Sequence, residues 1–357
     1  MHHRFLASVG ALAALIAVVA VASVAVGGQT QSPAAKTAKY TAPRTPDGQP
    51  DLQGIWSHNS ATPLERPKEL AGRQFLTDEE VAALKKSAAK LFNGETDAAF
   101  GDSVFLAALN SVKNQDKKAT FTSTDSTGNY NHFWLVDREF DNRTSLIVDP
   151  PEGRMPALTP EAEKRRAAAA EHRRLHGFDG PEDIALSQRC ITGTVPMFGA
   201  GYNNYYQIAQ SAGAVAINME MRHDTRMIPL DGRPHVTSKI RQWLGDPRGH
   251  WEGETLVVDT TNFNQKTELG GGGSRVVSDA NMHLTERFTR VSANTLKYEV
   301  TIDDPTTYTK PWTAVLYMKS TKDKIYEFAC HEGNEAMVGA LNGARVQEKA
   351  AAKRGTK

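Results

Sequence analysis

The sequence predicts a mainly β protein, an antiparallel barrel-like sheet carrying two or three peripheral helices, and three observations lead there. Residues 295–303 alternate Leu296, Tyr298, Val300 and Ile302 with Lys297, Glu299, Thr301 and Asp303, the period of a half-buried strand. From residue 248 to 331, strand-like segments follow one another at 249–251, 254–263, 284–291, 295–303, 312–319 and 325–331 with no helix between them. Neighbours in such a run must be antiparallel, because a parallel pair needs a long crossover. The connections at 292–294 and 320–323 are short and polar. Counting upstream segments gives about eleven strands, a sheet whose edges need closure into a barrel or stacking in two layers. We expect the barrel-like form, with a cavity.

Taken in order, the chain opens with Arg4 and an apolar run over residues 5–26. Ser23 and Ala25 supply the small residues of a cleavage site, so residues 1–25 read as an export signal cleaved near Ala25. The run is also long enough to span a bilayer, which makes an uncleaved anchor the other reading. Residues 26–45 are mostly Ala, Thr, Lys, Pro and Gln and read as a flexible linker. A single domain is expected over 46–345 and a flexible tail over 346–357. Export implies a periplasmic or secreted protein. Cys190 and Cys330 are then an even pair in an oxidising compartment, which favours a disulfide, with two separate buried thiols as the alternative.

Thr77 and Glu80 have the spacing of a capping box and predict a helix through about residue 92, with Val81, Leu84, Ala88 and Leu91 on one face. Thr159-Pro160-Glu161 opens a second helix that runs to His176, before Gly177; its Ala- and Arg-rich middle places it on the surface. Further strands are predicted at 54–57, 132–136, 144–148, 205–210, 214–221 and 226–230, with a turn at 210–213.

Two resemblances follow from particular residues. Gly54-Ile55-Trp56 is similar to the Gly-x-Trp at the first strand of lipocalins and related barrels, and Gly249-His250-Trp251 repeats it. Those barrels are much shorter, so the resemblance implies an enlarged lipocalin-like sheet. Arg44-Thr-Pro-Asp-Gly-Gln-Pro-Asp-Leu-Gln-Gly-Ile-Trp56, Arg143-Thr-Ser-Leu-Ile-Val-Asp-Pro-Pro151, Ile228-Pro-Leu-Asp-Gly-Arg-Pro-His235 and Cys330-His-Glu-Gly-Asn334 resemble a family of uncharacterised exported bacterial proteins. That resemblance implies the bacterial cell envelope and supplies no catalytic residue.

With 42 Lys and Arg against 41 Asp and Glu, the formal net charge is +1, which disfavours nucleic acid as a partner, and no membrane contact beyond the export signal is expected. The expected partner is a small-molecule ligand. No Gly-x-Ser-x-Gly elbow, Gly-x-Gly-x-x-Gly turn or Gly-Lys-Ser/Thr phosphate loop occurs, so hydrolase-elbow, dinucleotide and P-loop readings fall and no cofactor is expected. Gly270 to Gly273 read as a flexible connection. His172 and His176 share a helix face, but Arg173 and Arg174 oppose a cation there. His331-Glu332 lacks the second His of a zinc motif, and no metal site is assigned.

Proton-transfer chemistry is placed first on His223 with Asp224 and Glu220, and second on His331 beside Cys330, since imidazole moves protons near neutral pH and a carboxylate fixes its tautomer. Asn218, Glu220 and Arg222 alternate with Ile217, Met219 and Met221; if that polar face points into a cavity, it is a site. Arg222 and Arg226 suit an anionic group on a ligand. Asn218, Tyr205, Trp251, His132 and His283 complete the candidate binding set, the aromatic rings among amides suiting a sugar or phenolic ring. Two functional readings result. One is an envelope acid/base enzyme, a lyase, isomerase or hydrolase, acting on a small aromatic or sugar-like compound. The other is a non-catalytic lipocalin-like carrier of an apolar ligand, with a structural envelope component as a third possibility.

Overall fold

The structure, a computed structural model, describes residues 40–93, 99, 101–114, 138–186, 188–192, 195–198, 201–264, 268–269, 276–277 and 280–355. Residues 1–25, expected as an export signal, and His132 lie outside them. The protein is mainly β. In chain order the elements are β1 (Gly54–Ser57), α1 (Asp78–Leu91), α2 (Ser103–Lys113), β2 (Ile147–Asp149), α3 (Pro160–His176), β3 (Tyr205–Ser211), β4 (Ala214–Met219) and β5 (Thr225–Pro229). Then come β6 (Asp246–Glu252), β7 (Thr255–Thr261), the two-residue strands β8 (Glu268–Leu269) and β9 (Val276–Val277), β10 (His283–Ser292), β11 (Thr295–Asp303), β12 (Trp312–Thr321) and α4 (Glu335–Gly355).

Ten strands make one antiparallel sheet in the order β5-β4-β3-β1-β12-β11-β10-β7-β6, with β2 paired to β12. β12 is long enough to serve two short partners on one side, β2 through Thr313 and Ala314 and β1 through residues 319–321. The sheet does not close into a barrel: β5 and β6 end the hydrogen-bonded path, and no ladder joins them. They abut through side chains instead. Gly249 of β6 lies so close to β5 that a Cβ there would meet Ile228 Cγ2 and Leu230 Cδ2 at 2.7 Å.

One face of the sheet builds the main core. Val215, Ile217, Ile228, Leu256, Val258, Leu284, Phe288, Leu296, Val300, Ile302, Trp312, Ala314, Leu316 and Met318 are fully buried. Trp56 belongs to this core; its Nε1 donates to Leu52 O at 2.9 Å, and the Arg290 guanidinium lies 5.5 Å from its ring centre. Gly54 has φ +129, a conformation that L side chains rarely adopt, which accounts for glycine two residues before that Trp. The expected interior hollow is replaced among the described residues by this packing.

Set into the core is one charged group of residues. Arg226 of β5 donates from Nη1 to Glu286 Oε1 at 2.9 Å and from Nη2 to Glu286 Oε2 at 2.5 Å, and the two side chains are 1% and 0% exposed. Thr260 accepts from the same guanidinium, and Tyr298 donates its hydroxyl to Glu286 Oε1 at 2.8 Å. Burial pushes the Tyr298 phenol well above its ordinary value, so it remains a donor. This bidentate pair ties the terminal strand β5 to β10 across the unpaired seam.

The helices are one or two more than expected. α1 has the capping box at Thr77 and Glu80, and α3 has Pro160 in its first turn and buries only Ala162. α2 packs on α1 in a second, smaller core around Phe105, Leu84 and Ala88. α4 occupies residues expected in part as a flexible tail. Residues 42–44, expected in a tether, are pinned: Glu254 accepts from Ala42 N and pairs with Arg44.

Candidate active site

Among the described residues, the outer face of β6, β7 and β10 carries the most connected set of proton-transferring groups. Along β7, Leu256, Val258 and Thr260 face the core, which turns Asp259 outward. The registers then set Arg248 of β6 on one side of Asp259 and Thr285 of β10 on the other, with His283 one turn of the pleat further along. His235 comes from the connection between β5 and β6. That connection is moored to the sheet by Asn262, whose φ of 60 is left-handed and whose Nδ2 donates to Val236 O at 2.9 Å, and by Asp246, which accepts from Val236 N at 2.9 Å.

The result is an alternating chain of imidazoles and carboxylates. Asp246 Oδ2 lies 3.1 Å from His235 Nδ1, and His235 Nε2 lies 2.7 Å from Asp259 Oδ1. The other oxygen of Asp259 holds His283 Nε2. Arg248 donates to Asp246 Oδ1 at 2.7 Å and closes the inner end. His235 thus stands between two carboxylates, one at each ring nitrogen. The inner end is sealed, with the Asp246 side chain 6% exposed, whereas His283 at the outer end is 44% exposed. Its Nδ1 has no hydrogen-bond partner among the described residues and is the atom that a solute would meet.

Charge follows from this layout. The hydrogen bond to Asp259 raises the His283 pKa, burial opposes it, and the charges of Asp259 and Asp303 add to the rise. Burial pushes the Asp259 carboxyl up, but the two imidazoles outweigh it and hold it below the ordinary carboxylate range. An imidazolium backed by a carboxylate is a proton donor, and on losing its proton it becomes a base held in one tautomer. No group of three or more His, Cys, Asp or Glu among the described residues is arranged to hold a metal.

The residues expected from sequence are distributed elsewhere. β4 ends at Met219, so Asn218, Glu220 and Arg222 do not share a strand face. Residues 221–223 form a tight turn in which Arg222 and His223 both have left-handed φ, and this ends the alternation. Glu220 is buried; its Oε1 accepts from Tyr326 N at 3.2 Å, and burial raises its pKa. His223 is exposed, with Phe328 N–H 3.3 Å from its Nδ1, and Asp224 accepts from Thr192 at 2.9 Å. Glu220 and His223 thus meet the segment before Cys330, while Asp224, next in the chain, turns to Thr192. His331 is exposed beyond it.

Asn218 accepts from Thr225, Tyr205 donates to Asp323 at 3.3 Å, and Trp251 packs on the core. Arg226, expected to hold a ligand anion, is spent on Glu286 inside the core. His172 and His176 each contact their own carboxylate, Asp183 and Asp179, at 2.8 Å on an exposed face. Of the expected residues only His283 belongs to the relay; His235, Asp246 and Asp259 were missed. Asp259 carried a signal, since Asp is depleted in strands and it lies inside the segment expected at 254–263; Asp246 lay outside the strand expected at 249–251, and His235 in a connection.

In comparisons with protein-family models, with curated proteins and with solved structures, none matches this chain.

Proposed function

We propose that this is an exported envelope protein that performs acid/base chemistry on a small organic molecule, with His283 as the group that transfers the proton. The observation that carries the reading is the Asp259 carboxylate held between His283 and His235, with Asp246 behind. In this reading the His283 imidazolium gives a proton from Nδ1 to a leaving or carbonyl oxygen, and Asp259 steadies the charge before transfer. His235 and Asp246 keep Asp259 ionised and oriented. Lyase, isomerase and hydrolase chemistry on an aromatic or sugar-like compound all use such a step. The export run over residues 5–26 and the Cys190–Cys330 bridge support a periplasmic or secreted location. Among the described residues no helix is long and apolar enough to cross a membrane. The near approach of β5 and β6 supports describing the sheet as barrel-like. With its middle packed by apolar side chains, the outer face is the favoured place for a substrate.

The test is turnover of a panel of small esters, lactones, glycosides and elimination substrates by the wild type and by His283→Ala. We expect the variant to lose about 10²–10⁴-fold in kcat, while His172→Ala retains activity. Because the His283 pKa is raised, the active imidazolium persists above pH 6.5 and activity falls as pH rises through the shifted value. Equal turnover by wild type and His283→Ala, or no turnover of any substrate by the wild type, overturns the reading.

A further inference from the structure

A groove of about 280 Å³ lies on the outer face of β11 and β12, against the segment that leads to β2, and shares no residue with the relay. Its walls are prepared by a committed ion pair. Arg143 donates from Nε and Nη2 to Asp141 Oδ2 at 2.9 and 2.7 Å and from Nη1 to Val315 O at 2.6 Å. Asp141 Oδ1 takes Thr62 Oγ1 and the Arg143 amide, each at 2.9 Å. The Arg143 guanidinium, held this way, lies 5.0 Å from the centre of the Tyr317 ring and fixes it as part of the lining.

Once that pair is set aside, two charges in the lining remain uncommitted. Lys319 donates from Nζ to Thr295 Oγ1 at 3.3 Å and forms no ion pair with a carboxylate among the described residues. Glu139 is exposed and forms no ion pair with a described residue either. Phe140 and Tyr317 supply apolar surface next to these two heads, and Ser292 adds a hydroxyl. One cation, one anion, hydroxyls and two rings complement a molecule with a carboxylate, an ammonium and an apolar body. The volume is at the small end of ligand pockets, which suits a ligand of amino-acid or dipeptide size.

We propose that this groove binds a small zwitterion of the amino-acid type, its carboxylate on Lys319 and Thr295, its ammonium toward Glu139, and its side chain on Phe140 and Tyr317. A partly exposed charge pair on each end makes the affinity modest, because water competes for both.

The experiment is ligand-observed NMR with the full chain against the proteinogenic amino acids and the dipeptides Gly-Phe and Phe-Gly, followed by titration of the best binder. We expect at least one with a Kd below about 1 mM. Its analogue lacking the carboxylate, its analogue lacking the amine, and the variants Lys319→Met and Glu139→Gln should each bind about tenfold more weakly. His283→Ala should bind normally, which separates this proposal from the catalytic reading. Absence of any such binder, or equal binding by the single-charge analogues, or insensitivity to both groove variants, overturns it.

Discussion

Arg226 shares the inward face of β5 with Ile228, and Glu286 shares the inward face of β10 with Leu284 and Phe288. Neither charge has access to water, so each is tolerable only because of the other. Arg226→Met should therefore cost about 3–5 kcal/mol, since it strands Glu286 in the core. Replacing both residues by apolar ones should restore most of that loss, apart from about 1 kcal/mol for the Tyr298 hydroxyl that loses its acceptor. Urea unfolding of the single and double variants decides it, and a single variant within 1 kcal/mol of wild type (about one fifth of the larger figure) would show the pair to be solvated. This pair was legible in principle: a carboxylate spaced two residues from Leu284 and from Phe288 announces a buried cation. What the sequence did not carry was which cation, because Arg226 and Glu286 meet only through the packing of β5 across to β10. The same holds at the relay, where His283 could be picked out but its partners come from three other segments.

At the level of elements, local chemistry read well where it decides the outcome. The Thr77 and Glu80 box, the Pro160 start and the strands β6, β7, β10, β11 and β12 all formed near their expected bounds, whereas the two-residue strands β8 and β9 were not expected. Residues 325–331 did not become a strand, and the reason is not local. β12 already has β11 on one side and β1 with β2 on the other, so the strand that precedes them offered no free side. They pack instead on the turn at 221–223. α4, rich in Ala, Glu, Lys and Arg, carried a helix signal over residues that were expected in part as a flexible tail. The seam between β5 and β6 yields a sharper expectation. Gly249→Ala forces a methyl against Ile228 and Leu230, both part of or packed on the core, and overpacking of this kind costs about 1–3 kcal/mol. Thermal unfolding should show the loss, and hydrogen exchange should rise in β5 and β6 before it rises in β11. An unchanged melting temperature would mean that the two strands are not in contact.

Across the whole molecule, the Cys190–Cys330 bridge joins residues 140 apart and fastens the segment after β12 to the loop before β3, with Cα atoms 5.7 Å apart. No ladder holds residues 322–330, and what else binds them to the sheet and its turns is sparse: Asp323 accepting from Tyr205, Tyr326 N on Glu220 and Phe328 N on His223, with Asn334 Nδ2 on Gln188 O just beyond. A crosslink over so long a loop restricts the unfolded chain strongly, and its removal costs about 2–5 kcal/mol. The sheet, with its own apolar core and the Arg226–Glu286 tie, does not depend on it for architecture. The double variant Cys190→Ser, Cys330→Ser should thus remain folded but less stable by that amount. Its first failure should be local, with cleavage by a broad-specificity protease between residues 322 and 334 appearing before any cut in β10 to β12. Because the relay at His283 is built from β6, β7, β10 and the connection before β6, its chemistry should survive that local release. Loss of activity in step with cleavage would instead place the working site at Glu220 and His223, beside the bridge.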